Sequence, residues 1–358
     1  MEISKEMSNF VAVFIQKYIY TFAIMRKEDL RIIFMGTPEF AVGTLKALLD
    51  GGYNVVAVVT QPDKAVGRHH DTLQAPEVKR FALERGFKEE NILQPEKMKD
   101  ADFVERLRSY QADLQVVVAF RMLPEVVWAM PRFGTFNVHA ALLPQYRGAA
   151  PINWAVINGE TLTGVTTFFL DKDIDTGRII MQEAFDIHDD YNVEDVYDGL
   201  MTLGAHIALK TIDKILEGNG HVASMPQEDM IPIGTTLYGA PKIFKETCQI
   251  DWNQPCKRIY DFVRGLSPYP GAWTTLLAPD GKNTLLKVYK TAKTTRPALS
   301  DPGTLHEEKG HLYADSSDAM VELLEIQLTG KKRMQVKDFL NGFRSIADYR
   351  LVHEEPRS

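Results

Sequence analysis

The chain has 358 residues, a net charge of -7 and 45% hydrophobic residues, which is typical of a globular protein with room for two domains. Its two cysteines, Cys248 and Cys256, exclude a disulfide framework and a cysteine zinc site, and they fit a reducing, cytoplasmic setting. Charge is uneven: residues 237–358 carry 18 Lys and Arg against 15 Asp and Glu, so this part favours a polyanion more than the acidic remainder does.

The first 24 residues carry no readable targeting signal. Phe10 to Met25 is largely apolar, but Gln16 and Lys17 interrupt it, and it is too short and too polar at its centre for a membrane span. Acidic residues near its start argue against a signal peptide. We interpret residues 1–24 as an extension upstream of a start at Met25; the alternative is a short surface helix.

A strand–helix–strand unit follows. Arg31 to Met35 is predicted as a buried strand, Thr37 as the N-cap of a helix over Phe40 to Leu49, and Gly51-Gly52 as its end. Val55 to Val59 is the next strand. This order predicts a parallel sheet with helices on its faces. The first turn matches neither a dinucleotide fingerprint nor a P-loop. The sequence therefore lacks the motifs that would indicate a nicotinamide enzyme or a nucleotide hydrolase.

Gln61 to Leu73 is predicted as a long polar loop, and long loops in compact domains are often functional. Its His69-His70-Asp71 run could bind a metal, but adjacent histidines in an exposed loop more often bind nothing. Beyond the loop, further helices and strands are predicted at about Val78–Leu83, Phe103–Ser109, Leu114–Phe120, Pro151–Asn158, Gly164–Leu170 and Leu200–Leu216.

The pattern of predicted elements changes after a proline-containing stretch at residues 219–236, which we interpret as a linker. Short strands then predict a small β-barrel. They lie at Lys287–Lys290, Gly303–Leu305 and Val321–Ile326. Residues 346–358 are expected to be a frayed tail.

A polar pair marks the end of one predicted strand, Thr135 to His139. Asn137 and His139 lie two residues apart and therefore share a face. Open α/β folds place their chemistry at such strand exits. A lone Asn-x-His is weak evidence, because a satisfied polar pair at a strand end gives the same pattern. The following Leu-Leu-Pro-x-Tyr-Arg-Gly-Ala-Ala-Pro-Ile run, residues 142–152, is far more specific.

A second polar series, Asp171, Asp173 and Asp175, could open a calcium loop. Gly177 stands at the seventh place of that loop rather than the sixth, and Gln182 stands where a bidentate Glu is needed. The match is therefore partial, and we expect no calcium site.

The run at residues 142–152, together with Gly36-Thr37-Pro38-Glu39-Phe40, resembles the folate-dependent formyltransferases over about residues 29–345. Four later motifs resemble the C-terminal domain of the branch that acts on tRNA: Tyr238–Lys242, Ile250–Trp252, Ser267–Trp273 and Gly330–Met334. The resemblance implies an α/β fold, with a Rossmann-like formyltransferase domain whose sheet is mostly parallel and a smaller, open C-terminal β-barrel of OB-like type. The expected bounds are 29–218 for the catalytic domain, 219–236 for the linker, 237–345 for the barrel and 346–358 for the tail.

The resemblance also implies roles for single residues. Asn137, His139 and Asp175 match the family's catalytic set, which suits formyl transfer: an amide N–H can hold a tetrahedral oxyanion, and a carboxylate can stabilise a protonated imidazole. No Ser or Cys nucleophile is needed, because the substrate supplies the amine. The implied folate-binding residues are Ala141, Leu142, Leu143 and Pro144, with Ala141 where the family usually has Ser. The implied tRNA contacts are Arg68, in a loop that lacks the family's usual Gly-Lys-Lys, and the basic cluster Lys331, Lys332 and Arg333.

The implied reaction is transfer of a formyl group from 10-formyltetrahydrofolate to the amino group of initiator methionyl-tRNA, by a cytoplasmic monomer that needs neither a metal nor a membrane. Two alternatives stay open. One is a formyltransferase acting on a small amine, such as glycinamide ribonucleotide or an amino sugar; the loop at residues 61–73 and the barrel argue for tRNA instead. The other is a non-catalytic RNA-binding protein, against which the complete Asn137, His139 and Asp175 set argues.

Overall fold

A computed structural model describes residues 25–66, 72–232, 234–343 and 345–353. The extension at residues 1–24, Arg68 and the His69-His70-Asp71 run lie outside the described residues. The chain divides into two compact units. The first runs through Val138 and includes Thr167–Lys172 and Ala205–Ser224; the second holds His139–Thr166, Asp173–Gly204 and the chain from Met225 onward.

The helices are α1 (Glu39–Asp50), α2 (Glu77–Glu84), α3 (Ala101–Ser109), α4 (Glu125–Trp128), α5 (Pro151–Ile157), α6 (Val193–Glu217), α7 (Cys256–Gly265) and α8 (Val336–Gly342). The strands before α6 are β1 (Arg31–Gly36), β2 (Asn54–Val59), β3 (Lys64–Val66), β4 (Thr72–Gln74), β5 (Ile92–Leu93), β6 (Leu114–Val118), β7 (Thr135–His139), β8 (Arg147–Gly148), β9 (Leu162–Phe169) and β10 (Ile179–Asp186). Those after it are β11 (Gly239–Ala240), β12 (Ala272–Leu277), β13 (Asn283–Pro297), β14 (Leu305–Glu308), β15 (His311–Asp315), β16 (Ala319–Leu328), β17 (Met334–Gln335) and β18 (Arg350–Val352).

Seven strands form a sheet in the order β10-β9-β7-β6-β1-β2-β5. The pairs β1–β2, β1–β6, β6–β7 and β2–β5 are all parallel. Strands covered on both faces are mostly apolar, and all five residues of β6 are buried, four of them apolar and one of them Gln115. The predicted Rossmann-like domain with a mostly parallel sheet is therefore confirmed.

The start of α1 differs from the sequence prediction. Pro38, not Thr37, occupies the N-cap, and no side chain caps the helix. Thr37 Oγ1 is buried, and among the described residues it has no hydrogen-bond partner. The prediction of Thr37 as the cap is therefore wrong, because the extended Pro38 lies between it and the helix.

Two more elements differ from their predictions. The stretch predicted as a loop at residues 61–73 contains the paired strands β3 and β4. Helix α6 begins seven residues before Leu200, because Asn192 caps it: Asn192 Oδ1 accepts from the N–H groups of Glu194 at 2.7 Å and Asp195 at 3.1 Å. Asp195 Oδ2 accepts in return from the Asn192 N–H at 2.9 Å, which completes a reciprocal cap.

The second unit contains an antiparallel sheet in the order β14-β15-β16-β13-β12-β18. A bridge between Thr304 and Arg350 joins its two ends, and Leu351 donates its N–H to the carbonyl of Gly303 at 2.8 Å. The curled antiparallel sheet confirms the expected OB-like barrel. The bridge at Thr304 and Arg350 joins the two edges of this sheet, where the resemblance implied an open barrel. Strand β13 has 15 residues, far more than the predicted Lys287–Lys290.

Residues 346–352, expected to be frayed, are ordered elements. Ile346–Asp348 forms a 3-10 turn, and β18 pairs with β12. Ile346 and Leu351 are buried, so apolar packing and sheet pairing hold this segment. None of the helices in the described ranges is long and apolar enough to cross a membrane.

Candidate active site

His139 is the last residue of β7 and is buried. Its Nε2 lies 2.9 Å from the backbone carbonyl oxygen of Tyr146. A carbonyl only accepts hydrogen bonds, so this contact assigns a proton to Nε2. In the neutral ring, the other nitrogen, Nδ1, therefore carries the lone pair.

Asp175 lies between β9 and β10 and faces that second nitrogen. Its Oδ2 is 3.8 Å from His139 Nδ1, within the range of a charge interaction but longer than a direct hydrogen bond. Oδ2 also accepts the backbone N–H of Gly148 at 2.9 Å. The backbone of Asp175 is left-handed, with φ 55°, a conformation that non-glycine residues adopt at a cost. The structure thus brings the predicted His139 and Asp175 together.

One short loop, residues 145–150, supports both side chains. The Tyr146 carbonyl holds His139, and two residues later the Gly148 N–H holds Asp175. Tyr146 is itself left-handed, with φ 59°, and its buried hydroxyl donates to Glu160 Oε1 at 2.5 Å. Burial raises the pKa of that Tyr146 hydroxyl, with a further contribution from Glu160, so it stays a donor.

The other edge of this loop pairs with β11. Strands β8 and β11 are parallel, and Ala149 donates its N–H to the Ala240 carbonyl at 2.7 Å. Tyr146 donates its N–H to the Tyr238 carbonyl at 2.7 Å. Gly148 has φ 127°, and a Cβ there would lie 2.5 Å from the Ala240 oxygen, so the pairing requires glycine. The loop is therefore fixed from both sides.

Asn137, the third predicted catalytic residue, is on β7 two residues before His139 and is partly exposed. Its backbone is in register with Val117 of β6.

The four predicted folate-binding residues follow β7 directly. Ala141, Leu143 and Pro144 are buried, and Leu142 is partly exposed. Thr166 Oγ1 donates to the Ala141 carbonyl at 2.6 Å and accepts from the Leu143 N–H at 3.1 Å.

Gln182 adds a third support to the same turn. Its Nε2 donates to the Leu143 carbonyl at 2.7 Å and contacts Thr166 Oγ1 at 2.9 Å. The side chains of Thr166 and Gln182 therefore hold the backbone of this turn by hydrogen bonds. Of residues 141–144, Leu142 has the solvent-accessible side chain.

The predicted basic cluster is not uniform. Lys331 and Lys332 are exposed in the turn after β16. Arg333 pairs with Glu325 at 2.7 Å, and its guanidinium lies 4.2 Å from the centroid of the Tyr289 ring. The Arg333 side chain is thus held by contacts within the barrel, whereas the side chains of Lys331 and Lys332 are exposed to solvent.

Two supporting residues were not predicted from the sequence. Gly148 stands inside the conspicuous 142–152 run, which was a usable signal. Gln227 stands in the predicted linker, is fully buried and contacts the backbone of Asp175, and no sequence pattern singled it out. Within the described part of the chain, no group of three His, Cys, Asp or Glu side chains could hold a metal ion.

Family models match most of the chain. The model described as formyl transferase matches residues 30–212, and the one described as formyl transferase, C-terminal domain, matches residues 242–344. The chain belongs to the formyl transferase family. The buried His139 and the partly exposed Asp175 both lie within the first matched region.

Similar proteins carry a more specific name. The chain is 57% identical to the methionyl-tRNA formyltransferase of Parabacteroides distasonis, over 91% of this chain and 99% of the relative. It is 58% identical to that of Phocaeicola vulgatus, over 90% and 98%, and 44% identical to that of Porphyromonas gingivalis, over 90% and 99%.

Solved structures show the same fold at low identity. HypX from Aquifex aeolicus in complex with tetrahydrofolic acid matches with a TM-score of 0.56 and 17% identity, over 88% of this formyltransferase chain and 48% of HypX. This chain therefore spans about half of HypX. The sugar 3N-formyl transferase WlaRD matches with a TM-score of 0.58 and 19% identity, over 85% of this chain and 99% of WlaRD.

Proposed function

We propose that this formyltransferase moves a formyl group from 10-formyltetrahydrofolate to the amino group of methionine on initiator methionyl-tRNA. The observation that carries the proposal is the pairing of the buried His139 with the partly exposed Asp175, both held by one loop in a chain more than half identical to relatives of that name. The two buried, free cysteines support our proposal of a cytoplasmic setting. We also propose that the protein acts as a monomer.

In this reaction the methionine nitrogen bonds to the formyl carbon, and the bond from that carbon to the donor nitrogen breaks. The neutral amine attacks, and one proton then passes from the ammonium nitrogen of the resulting tetrahedral intermediate to the donor nitrogen. Negative charge develops on the formyl oxygen in the intermediate, and a preorganised N–H donor in a dry site can stabilise it. We assign that donor role to the Asn137 carboxamide.

We assign the proton transfer to His139 and the stabilisation of the positive charge on its ring to Asp175. With Nε2–H bound to the Tyr146 carbonyl, protonation occurs at Nδ1, beside the Asp175 carboxylate. The protonated ring then has an acceptor at one nitrogen and a nearby carboxylate at the other. We propose that His139 exchanges the transferred proton, and that Asp175 stabilises the charged ring while Gly148 fixes its carboxylate.

For the formyl donor, we assign the contact to Leu142 because it alone of residues 141–144 is partly exposed. Ala141, Leu143 and Pro144 support it from the buried side. For tRNA, we assign the main phosphate contacts to Lys331, Lys332 and Arg68. Arg333 is assigned a lesser contact.

The test is a radiolabelled formyl-transfer assay offering charged initiator tRNA, charged elongator tRNA and glycinamide ribonucleotide side by side. We expect label in the initiator tRNA far above that in the other two. If the label appeared chiefly in glycinamide ribonucleotide, the enzyme would instead be a formyltransferase that acts on a small amine. Binding of tRNA without any transfer would favour the non-catalytic alternative.

A further inference from the structure

Gln227 uses every hydrogen-bonding position of its side chain, and the side chain is fully buried. Its Oε1 accepts from Arg147 Nε at 3.0 Å and from Nη2 at 2.6 Å. Its Nε2 donates to the backbone carbonyls of Asp175 at 2.8 Å and Gly177 at 2.9 Å. A guanidinium only donates and a carbonyl only accepts, so this orientation of the carboxamide is unambiguous.

These contacts act on the backbone that presents the Asp175 carboxylate. Asp175 is left-handed, and such a backbone persists only where its surroundings hold it. The two donor bonds of Gln227 bind the carbonyls on either side of Thr176 and so fix this turn. The acceptor end binds Arg147, the residue directly before Gly148, whose N–H holds the carboxylate itself.

The position of a catalytic carboxylate matters because the rate depends steeply on geometry. Oδ2 lies 3.8 Å from His139 Nδ1, farther than a direct hydrogen bond, so the contacts that hold the Asp175 backbone and carboxylate contribute to this distance. A shift of about 1 Å in a catalytic group can cost on the order of 10²-fold in rate.

We infer that Gln227, which lies between the two family-matched regions, is a positioning residue for Asp175. The inference rests on the proposed catalytic role of Asp175. A carboxamide is required here because it joins a cation to two carbonyls, which neither a carboxylate nor an apolar side chain can do.

The test uses two variants of the full-length enzyme. Gln227→Met keeps the size and removes all four hydrogen bonds; Gln227→Glu keeps the pairing with Arg147 but turns two donors into acceptors facing carbonyls. Should Gln227→Met fail to fold, Gln227→Glu carries the test, because its new charge still faces Arg147. The control is Gln115→Met at a second fully buried glutamine, whose Oε1 accepts from the Thr135 hydroxyl at 2.9 Å.

We expect both Gln227 variants to lose about 10–100-fold in kcat, with KM for donor and tRNA within about threefold of the parent, and Gln115→Met to keep its kcat. The deciding measurement combines Gln227→Met with Asp175→Asn. If Gln227 acts through Asp175, the double variant is less than about twofold slower than Asp175→Asn alone. Parental kcat in the Gln227 variants, or full multiplication of the two losses, overturns the inference. Parental kcat in Asp175→Asn overturns the proposed catalytic set and the inference with it.

Discussion

The backbone N–H of Gly148 lies 2.9 Å from Oδ2 of Asp175, and the same glycine packs its α-carbon against the Ala240 carbonyl. A side chain at residue 148 would have to displace β11 or rotate the peptide that binds the carboxylate. This links the fit of one glycine to the position of a proposed catalytic group.

Gly148→Ala is therefore expected to lower kcat at least ~10-fold, since it moves the Asp175 donor, and to lower Tm as well. Gly281→Ala is the matched control: its φ is 83°, but no atom lies within 4 Å of the position that a Cβ would take, so it carries only backbone strain of about 1–2 kcal/mol. Steady-state kinetics and thermal unfolding of both variants check this. A Gly148→Ala enzyme with parental kcat would contradict it.

His139→Ala and Asp175→Ala are each expected to cut kcat by at least ~10², the usual scale for an acid–base group, with little change in Tm. The controls are His206→Ala and Asp173→Ala, both at exposed positions, the second on the same loop as Asp175. Single-turnover rates of the purified, folded variants provide the measurement. Near-normal rates in either active-site variant would remove that residue from the catalytic set.

The basic cluster is expected to separate into two kinds of residue. Replacing Lys331 and Lys332 together with Ala should raise KM for tRNA and flatten its dependence on salt, with kcat nearly unchanged, because phosphate contacts release counterions. Arg333→Ala should also lower Tm, since it breaks the Glu325 pair and uncovers Tyr289. The exposed pair Lys97 and Lys99, replaced by Ala, controls for loss of charge. Parental KM and salt dependence in the double lysine variant would place tRNA elsewhere.

Asp63 gives a prediction for stability against pH. Its hydrogen bond from Gln94, at 2.6 Å, and its pairing with Lys79, at 2.8 Å, hold its pKa below the ordinary value of 3.8. A lowered carboxyl pKa contributes stability above the unfolded value, and that stability is lost as pH falls through the folded value.

The Tm difference between the parent and Asp63→Asn should accordingly be largest near pH 7 and shrink below about pH 4 as the parent's carboxyl becomes protonated. Thermal unfolding across that range is the measurement. A Tm difference that is constant with pH would show that the charge of Asp63 contributes nothing.

Local patterns in the sequence were enough for the catalytic fold. The strand–helix–strand order at residues 31–59 predicted a parallel sheet, and β7 was placed correctly with Asn137 and His139 on it. Helix α7 was missed although its signal was present: Pro255 precedes it, and Cys256, Ile259 and Val263 have helical spacing and are buried.

Gln227 could not be found in this way. Its partners Asp175 and Arg147 are 52 and 80 residues away along the chain, and its own segment has no periodicity. A single buried polar residue is specified by tertiary contacts, which local spacing does not encode. The same holds for the conformation of Tyr146, whose left-handed backbone depends on Glu160 and on the pairing with Tyr238.

The closure of the barrel at Gly303 and Leu351 also determines when this part of the protein can fold. Strand β18 pairs with β12, which precedes it by about 75 residues, so the last strand needed to close the sheet leaves the ribosome long after the first. Contacts so distant in sequence form slowly, because the intervening chain must be ordered first. During synthesis this edge of β12 therefore stays unpaired until residue 352 has emerged, and an unpaired strand edge is a site at which a nascent chain can aggregate.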